Sequence, residues 1–158
     1  MTLACVESGI DHADPTHWRA SVASGGSPGV GDSIRLTDWL NTHSISANDE
    51  LSDHDGDGLV VLVEYGVGGD PDIADAILLP MIGLDGARLS FRRARGADDV
   101  KVRAEFSTDL AVWVPAIIET IDAGAGDTDT LTVRSPVGAV RPALGYLRLR
   151  VERRQNQP

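Results

Sequence analysis

Hydrophobic and polar residues alternate in several short stretches of the second half of the chain. In residues 100–106, apolar side chains occupy every second position and charged side chains lie between them. Further stretches of this half either alternate in the same way or are continuously apolar: 88–92, 130–134 and 147–152 alternate, and 76–82 and 112–121 are apolar. A period of two indicates a strand with one buried and one solvated face. We therefore expect about six strands that close as an antiparallel β-sandwich of the immunoglobulin or fibronectin III type.

The first half of the chain shows helical spacing instead. Residues 34–40 place apolar side chains at positions that share one face of a helix. This spacing predicts a short helix that ends near His43 and is capped by Asp32 or Ser33. A second short helix is expected after an acidic segment, where Gly66 would end it. The predicted fold class is thus mainly β with a small α part.

Changes in pattern and in charge divide the chain into three parts. Residues 1–32 contain closely spaced glycines and a proline, and we expect an irregular leader or linker. Residues 33–75 form the predicted helix-loop-helix segment, and residues 76–158 form the predicted sandwich. Residues 1–75 hold 14 acidic and 2 basic residues, a net charge of −12, whereas residues 76–158 hold 10 acidic and 12 basic residues, a net charge of +2. Two different modules are therefore predicted.

Composition excludes several classes of protein. Because the net charge is −10, nucleic acid and anionic membrane surfaces would repel the chain, and neither is an expected partner. Cys5 is the only cysteine, which excludes a disulfide within the chain and a thiolate zinc cluster. No stretch approaches the roughly 18 apolar residues of a membrane helix, so membrane insertion is not expected.

One acidic motif makes a specific chemical prediction. Residues 53–64 fit the pattern D-x-D-x-D-G-x5-E, which is typical of the calcium loop of an EF-hand. Calcium takes about six to eight oxygen ligands, and alternate aspartates around a tight turn bring their carboxylates to one side. Gly58 allows the turn, and Glu64 closes the shell with two oxygen atoms. The predicted ligands of Ca²⁺ are Asp53, Asp55, Asp57, the backbone carbonyl of Leu59, and Glu64.

Two other interpretations of this segment stay open. The acids could form a solvated turn without a metal, or they could bind magnesium, which prefers fewer protein ligands in octahedral geometry. Val61 occupies the ninth loop position, where a polar side chain normally holds a bridging water. We therefore expect weak calcium binding, with a dissociation constant of about 10⁻⁴ to 10⁻⁵ M.

Other residues with possible metal chemistry are less specific. The chain has four scattered histidines, which are His12, His17, His43 and His54. His54 lies at the second loop position, where side chains point outward, so a ligand role is not expected. Asp70 and Asp72 flank a proline and are expected to cap a turn, with a second cation contact as the alternative.

The strand region offers no catalytic constellation. It has no nucleophile elbow, no phosphate-binding loop and few histidines, so we do not expect an enzyme. Arginines of the predicted strands could line one sheet face, either as an ordinary solvated face or as an anion or partner site: Arg88, Arg92, Arg103, Arg148 and Arg150. Trp113 is expected to pack in the core or at an edge, and a sugar-stacking platform is the alternative.

Several motifs together resemble the C-terminal region of large secreted or surface proteins of bacteria. They are WRAS…GGSPG in 18–29, DHDGDGLVVLVEYGVGGDP in 53–71, and VKVRAEFSTDLAVW in 100–113. In those proteins, a lamin-tail-like end precedes a calcium segment, which is similar to dockerin and thrombospondin type 3 loops, and a terminal β-sandwich follows. The resemblance covers residues 18–152, and the calcium segment is its most specific part.

This resemblance implies a non-catalytic accessory module of an exported protein, located outside the cell or on its surface. Calcium at the matching loop positions would rigidify the junction between the helical segment and the sandwich. The N-terminal residues carry no export signal, so we expect a fragment whose partners include the upstream domains of a longer parent. The alternative function is an adhesion module that binds a carbohydrate or a protein at the cell surface.

Overall fold

The described part of the molecule is mainly β with a small α part, as the sequence predicts: it has two larger antiparallel sheets, a separate two-stranded ladder and two α-helices. The computed structural model describes residues 3–5, 13, 18–23, 25–27, 31–74, 79–83, 88–124, 126–136 and 145–154. The helices are α1 (Leu36–Thr42) and α2 (Val61–Val67). The strands are β1 (Leu3–Cys5), β2 (Trp18–Ala20), β3 (Met81–Ile82), β4 (Arg88–Ala94), β5 (Val100–Ser107), β6 (Val114–Pro115), β7 (Ile117–Ala123), β8 (Thr128–Arg134) and β9 (Tyr146–Arg153).

Strands β3 to β9 form two sheets that face each other. One sheet has the strand order β3-β4-β8-β7 and the other has the order β6-β5-β9, and every neighbouring pair is antiparallel. Leu89, Phe91, Leu131 and Val133 of the first sheet share one buried cluster with Ala104 of the second. The alternating stretches predicted in the sequence correspond to β4, β5, β8 and β9. Their period of two is therefore explained by one face that packs against the opposite sheet.

The apolar stretch 112–121, predicted as one strand, is divided between the two sheets. Strand β6 pairs with β5, whereas β7 pairs with β8. Between them, the Ala116 N–H still donates to the Ala104 carbonyl at 3.0 Å. The chain thus passes from one sheet to the other directly after Ala116, as corner strands do in two-sheet folds. In the other apolar stretch, 76–82, β3 is the described strand, and residues 75–78 lie outside the described residues.

Helix α1 begins after the residues that were predicted to cap it. Its N-cap position is Arg35, whose side chain makes no capping hydrogen bond. The Leu36 N–H donates instead to the carboxylate of Asp99, at 2.7 Å and 63 residues away in sequence. The prediction of Asp32 or Ser33 was wrong because the cap comes from the turn between β4 and β5.

Helix α2 continues past the glycine that was predicted to end it. Gly66 lies inside the helix, and Gly68 ends it with a left-handed φ of 75°. A Cβ atom at Gly66 would lie 3.0 Å from methyl groups of Val102 on β5 and Val151 on β9. The glycine therefore allows α2 to approach the sheet closely, and this packing role explains its presence in the helix.

The described part of residues 1–32 differs from the irregular leader that we expected. Strands β1 and β2 pair in an antiparallel ladder. The buried Arg19 guanidinium donates to both carboxylate oxygens of Asp98, at 2.8 and 2.6 Å, and to Asp32 at 3.0 Å. Strands of three residues are too short for a visible alternation, and the partner of Arg19 lies 79 residues away in sequence. The ladder is thus attached to the turn between β4 and β5.

The helices share an apolar core with the strand region. One buried cluster contains Leu40 of α1 and both Leu62 and Tyr65 of α2. The same cluster includes Ala97, in the turn before β5, and Val100, the first residue of β5. The helical segment is therefore packed on the sheet by its own apolar side chains.

The α-helices of the described residues have seven residues each, far fewer than the roughly 20 apolar residues that a membrane span requires.

Candidate metal centre

Residues 53–58 form a tight loop whose aspartates bind the backbone of the loop itself. Asp53 accepts hydrogen bonds from the N–H groups of Gly56 at 2.8 Å and Gly58 at 3.0 Å, and Asp55 accepts one from Asp57 at 3.1 Å. Gly56 and Gly58 have φ angles of 83° and 94°, which other residues rarely adopt. One carboxylate oxygen from each of the three aspartates lies within 4.8 Å of the others. The loop therefore curls so that its carboxylates converge.

Backbone hydrogen bonds join the segment before this loop to the start of α2. The Val61 N–H donates to the Ser52 carbonyl at 3.0 Å, and the Leu62 N–H donates to the Glu50 carbonyl at 2.8 Å. The first turn of a helix leaves such N–H groups without a partner in the helix. Because preceding residues supply the acceptors, both ends of the loop are fixed, and Glu64 lies one turn into the helix.

The carboxylate of Glu64 is buried, and no hydrogen-bond donor among the described residues compensates for its loss of solvent. Its exposed fraction is 0%, and neither carboxylate oxygen has a hydrogen-bond partner in the described part of the chain. The Asp55 Oδ2 atom is buried and unpartnered in the same way. Burial, followed by the negative charges of Asp55, Asp57 and Asp53, raises the pKa of Glu64 from 4.5 to about 7. A buried carboxylate without a donor is costly unless a proton or a cation neutralises it.

The predicted ligands are thus distributed as follows. The carboxylates of Asp53, Asp55 and Asp57 lie together, and Glu64 lies within their electrostatic field. Leu59 follows the loop: its N–H donates to Asp57 Oδ1 at 2.7 Å, and its side chain is buried. The Val61 side chain, at the ninth loop position, is fully buried in the core of the helical segment.

A second group of possible ligands lies at the C-terminal ends of the two helices. The Asp70 carboxylate accepts from the Asp72 N–H at 3.1 Å, which matches the predicted turn. In addition, His43 Nδ1 lies 2.9 Å from Asp72 Oδ2 and 3.8 Å from Asp70 Oδ1. His54 Nε2 lies 3.6 Å from Asp72 Oδ1. No motif spacing predicted a contact for His43, because it is 29 residues from Asp72 in sequence.

The remaining candidates do not form a second charged site in the described part of the chain. The five strand arginines considered as an anion or partner site lie on two different sheets. On the three-stranded sheet, Arg103, Arg148 and Arg150 surround the carboxylate of Glu105. Burial opposes ionisation of Glu105, but these arginines outweigh it and lower its pKa. Trp113 lies under the Arg148 guanidinium, 3.9 Å from the ring centre. His12 and His17 lie outside the described residues.

No protein-family model, curated protein or solved structure matches the chain. Its function must therefore be inferred from the chemistry of the site itself.

Proposed function

We propose that the chain is a non-catalytic, calcium-binding structural module of an exported protein. The ion would be held by the carboxylates of Asp53, Asp55, Asp57 and Glu64 and by the backbone carbonyl of Leu59. One observation carries this proposal: the fully buried Glu64 carboxylate has no partner among the described residues and lies in the field of three aspartates. A cation at this place would supply the missing counter-charge.

The donor atoms favour a hard cation and, among these, calcium. All of the proposed donors are oxygen atoms, which suit magnesium and calcium better than transition metals. Magnesium retains several waters and is usually held by one or two carboxylates, whereas this site offers four carboxylates and a carbonyl. Because Val61 cannot hold a bridging water, the proposed affinity stays in the range of about 10⁻⁴ to 10⁻⁵ M.

Calcium would connect the loop to the helix and the helix to the sheet. Glu64 is two residues from Gly66, where α2 packs closely against Val102 and Val151. An ion bound by Glu64 and the loop would therefore hold α2 in position against β5 and β9. The proposed role is to rigidify the junction between the helical segment and the strand region.

The finer features of the module are also proposals. The two facing sheets support a sandwich of immunoglobulin or fibronectin III type. The sequence resemblance supports a location outside the cell or on its surface, and upstream domains of a longer parent as partners. Fractionation of the source cells with an antibody to this chain tests the location, since recovery in the cytoplasm alone would contradict an exported parent.

Calorimetric titration of the full chain with calcium tests the binding proposal. We expect one equivalent of Ca²⁺ to bind, with a dissociation constant of about 10⁻⁴ to 10⁻⁵ M, and magnesium to bind more weakly. Asp55→Asn should weaken calcium binding at least about tenfold, because it removes a charge from the buried side of the loop. Asp122→Asn changes an exposed aspartate of β7 in the same way and should bind like the unmodified chain. No heat of binding at millimolar calcium would refute the proposal.

The adhesion module remains the second candidate, because apolar side chains are exposed on β7. Ile118 is 52% and Ile121 is 53% exposed, although both pair with β8. This surface favours a protein partner over a sugar, since Trp113 has one ring face covered by Arg148. A glycan array tests the carbohydrate form of this function, and binding that survives Trp113→Ala would show that the indole is not the platform.

A further inference from the structure

The ends of the two helices bring together nitrogen and oxygen donors from separate parts of the chain. His43 is the C-cap residue of α1, Asp70 and Asp72 follow α2, and His54 belongs to the acidic loop. One ligand atom from each of His43, Asp70 and Asp72 lies within 4.8 Å of the other two. These residues are not among the proposed calcium ligands.

We propose that this cluster is a second metal site, which binds a first-row transition metal ion of the zinc type. The ligands are His43 Nδ1 and one carboxylate oxygen each from Asp70 and Asp72, and His54 Nε2 is the fourth. Calcium is bound by oxygen, whereas imidazole nitrogen favours zinc, nickel and copper. The two sites would therefore select different metals on the same helical segment.

The distances between donor atoms fit a small tetrahedral ion. Zinc is bound at about 2.0–2.2 Å by histidine and carboxylate, so neighbouring ligand atoms of a tetrahedron are about 3.3–3.6 Å apart. The separations from His43 Nδ1 to the two carboxylates are 2.9 and 3.8 Å, and that from His54 Nε2 to Asp72 is 3.6 Å. His43, Asp70 and Asp72 are therefore already close to this spacing, whereas His54 contacts the other oxygen of Asp72 and would have to rotate toward the site to become the fourth ligand.

Around this cluster, the His43 ring is held by packing, whereas the other three side chains are exposed to solvent. The His43 ring packs against Trp39, with ring centres 4.7 Å apart, and its side chain is 18% exposed. The side chains of Asp70, Asp72 and His54 are 47%, 53% and 45% exposed. A hydrated ion can therefore reach the site from solvent while His43 keeps its orientation.

A protonated His43 that forms an ion pair with Asp72 is the simpler alternative. A single proton on Nδ1 satisfies one acceptor at 2.9 Å, and Asp70 Oδ1 accepts from the Asp72 N–H at 3.1 Å, but the approach of His54 to the other oxygen of Asp72 is left unexplained. A divalent ion would interact with all four groups. Direct metal titration separates the two interpretations, because the ion pair binds no zinc.

The test is a calorimetric titration of the untagged, calcium-saturated full chain with zinc chloride. We expect one zinc to bind, and we expect His43→Gln and Asp72→Asn to weaken zinc binding at least about tenfold, since each removes a ligand. His54→Gln should have a smaller effect. Asp122→Asn is the matched control and should leave zinc binding unchanged. Replacement of zinc by cobalt adds an optical readout, because tetrahedral Co²⁺ has a visible absorption band.

Folding and metal binding are measured separately in this experiment. Calcium affinity and the far-ultraviolet circular dichroism of each variant show whether it folds. If a variant does not fold, the ¹⁵N shifts of the His43 ring in the unmodified chain decide instead, since zinc should move the Nδ1 resonance most. Absence of zinc binding at about 0.1 mM would overturn the proposal. Equal zinc affinity in all folded variants, or unmoved His43 resonances, would overturn it too.

Discussion

Substitution of Glu64 by glutamine should stabilise the calcium-free protein and remove most of the additional stability that calcium provides. The change keeps the shape of the side chain and removes its charge. Without calcium, burial and three neighbouring aspartates oppose this charge, which therefore lowers stability. If calcium binds as proposed, the same charged group serves as a ligand. Glu64→Gln should therefore stabilise the calcium-free protein and reduce the stabilisation that calcium provides.

The magnitude of both effects follows from the site. A rise in the pKa of Glu64 from 4.5 to about 7 corresponds to about 3 kcal/mol at a pH well above 7. Because Asp53 and other parts of the loop are exposed, solvent screens some of this repulsion, and we expect about 1–3 kcal/mol. Saturation at about 100 to 1,000 times the dissociation constant stabilises the unmodified chain by about 2.7–4.1 kcal/mol. The variant should bind calcium about 100-fold more weakly and gain about 1 kcal/mol.

Thermal unfolding at pH 8, in EDTA and in 10 mM calcium, measures both effects. For a chain of this size, 1 kcal/mol changes the melting temperature by about 2–4 °C. In EDTA, the variant should melt about 3–10 °C above the unmodified chain. Calcium should raise the melting temperature of the unmodified chain by about 4–12 °C more than that of the variant, because it stabilises the unmodified chain by about 2–3 kcal/mol more. Glu152→Gln changes a surface carboxylate that pairs with Arg103 and Arg150, and calcium should stabilise it as much as the unmodified chain. A Glu64→Gln variant that is less stable in EDTA and equally stabilised by calcium would refute the reasoning.

Three further predictions concern pH, a helix end and the N-terminal ladder. Because the pKa of Glu64 is raised from 4.5 to about 7, the calcium-free protein should lose stability as pH rises from about 4.5 to about 7. Calorimetry should also show calcium affinity about 30-fold lower at pH 5.5 than at pH 8, because protons compete for the carboxylate. Gly68→Ala should lower the free energy of unfolding in urea by about 2–3 kcal/mol, since φ is 75° and the new Cβ would lie 2.6 Å from a methyl group of β8. Gly31→Ala is the control, because its new Cβ would meet nothing within 4 Å. Arg19→Ala should cost about 3 kcal/mol and abolish hydrogen-exchange protection in β2, because it removes the cation that pairs with the largely inaccessible carboxylates of Asp32 and Asp98. Arg35→Ala, at an exposed position, should change neither.

Features encoded by neighbouring residues could be predicted from the sequence. Alternation along β4, β5, β8 and β9 is a local pattern, and it predicted these strands because one face of each is buried. The acidic loop is also local, since its aspartates are two residues apart. The sequence could suggest a metal there, but it could not show that Glu64 is fully buried and unpartnered, which depends on how α2 packs on the sheet.

Features that depend on distant partners could not be predicted. The cap of α1 comes from Asp99, and the partner of Arg19 is Asp98, so both depend on the position of the turn before β5. The contact between His43 and Asp72 depends on the relative placement of the two helices. Gly66 was misinterpreted for the same reason. A glycine can end a helix or allow close packing, and only the position of β5 and β9 distinguishes these roles.

The apolar core that joins the helices to the turn before β5 limits how this molecule can be divided. If residues 33–75 were transplanted onto another scaffold, Leu40, Leu62 and Tyr65 would lose Ala97 and Val100 as neighbours. The transplanted segment would expose apolar surface. It would also lose the Asp99 carboxylate that accepts the N–H at the start of α1. The acidic loop and its two helices therefore could not be moved to another protein without the sheet on which they pack.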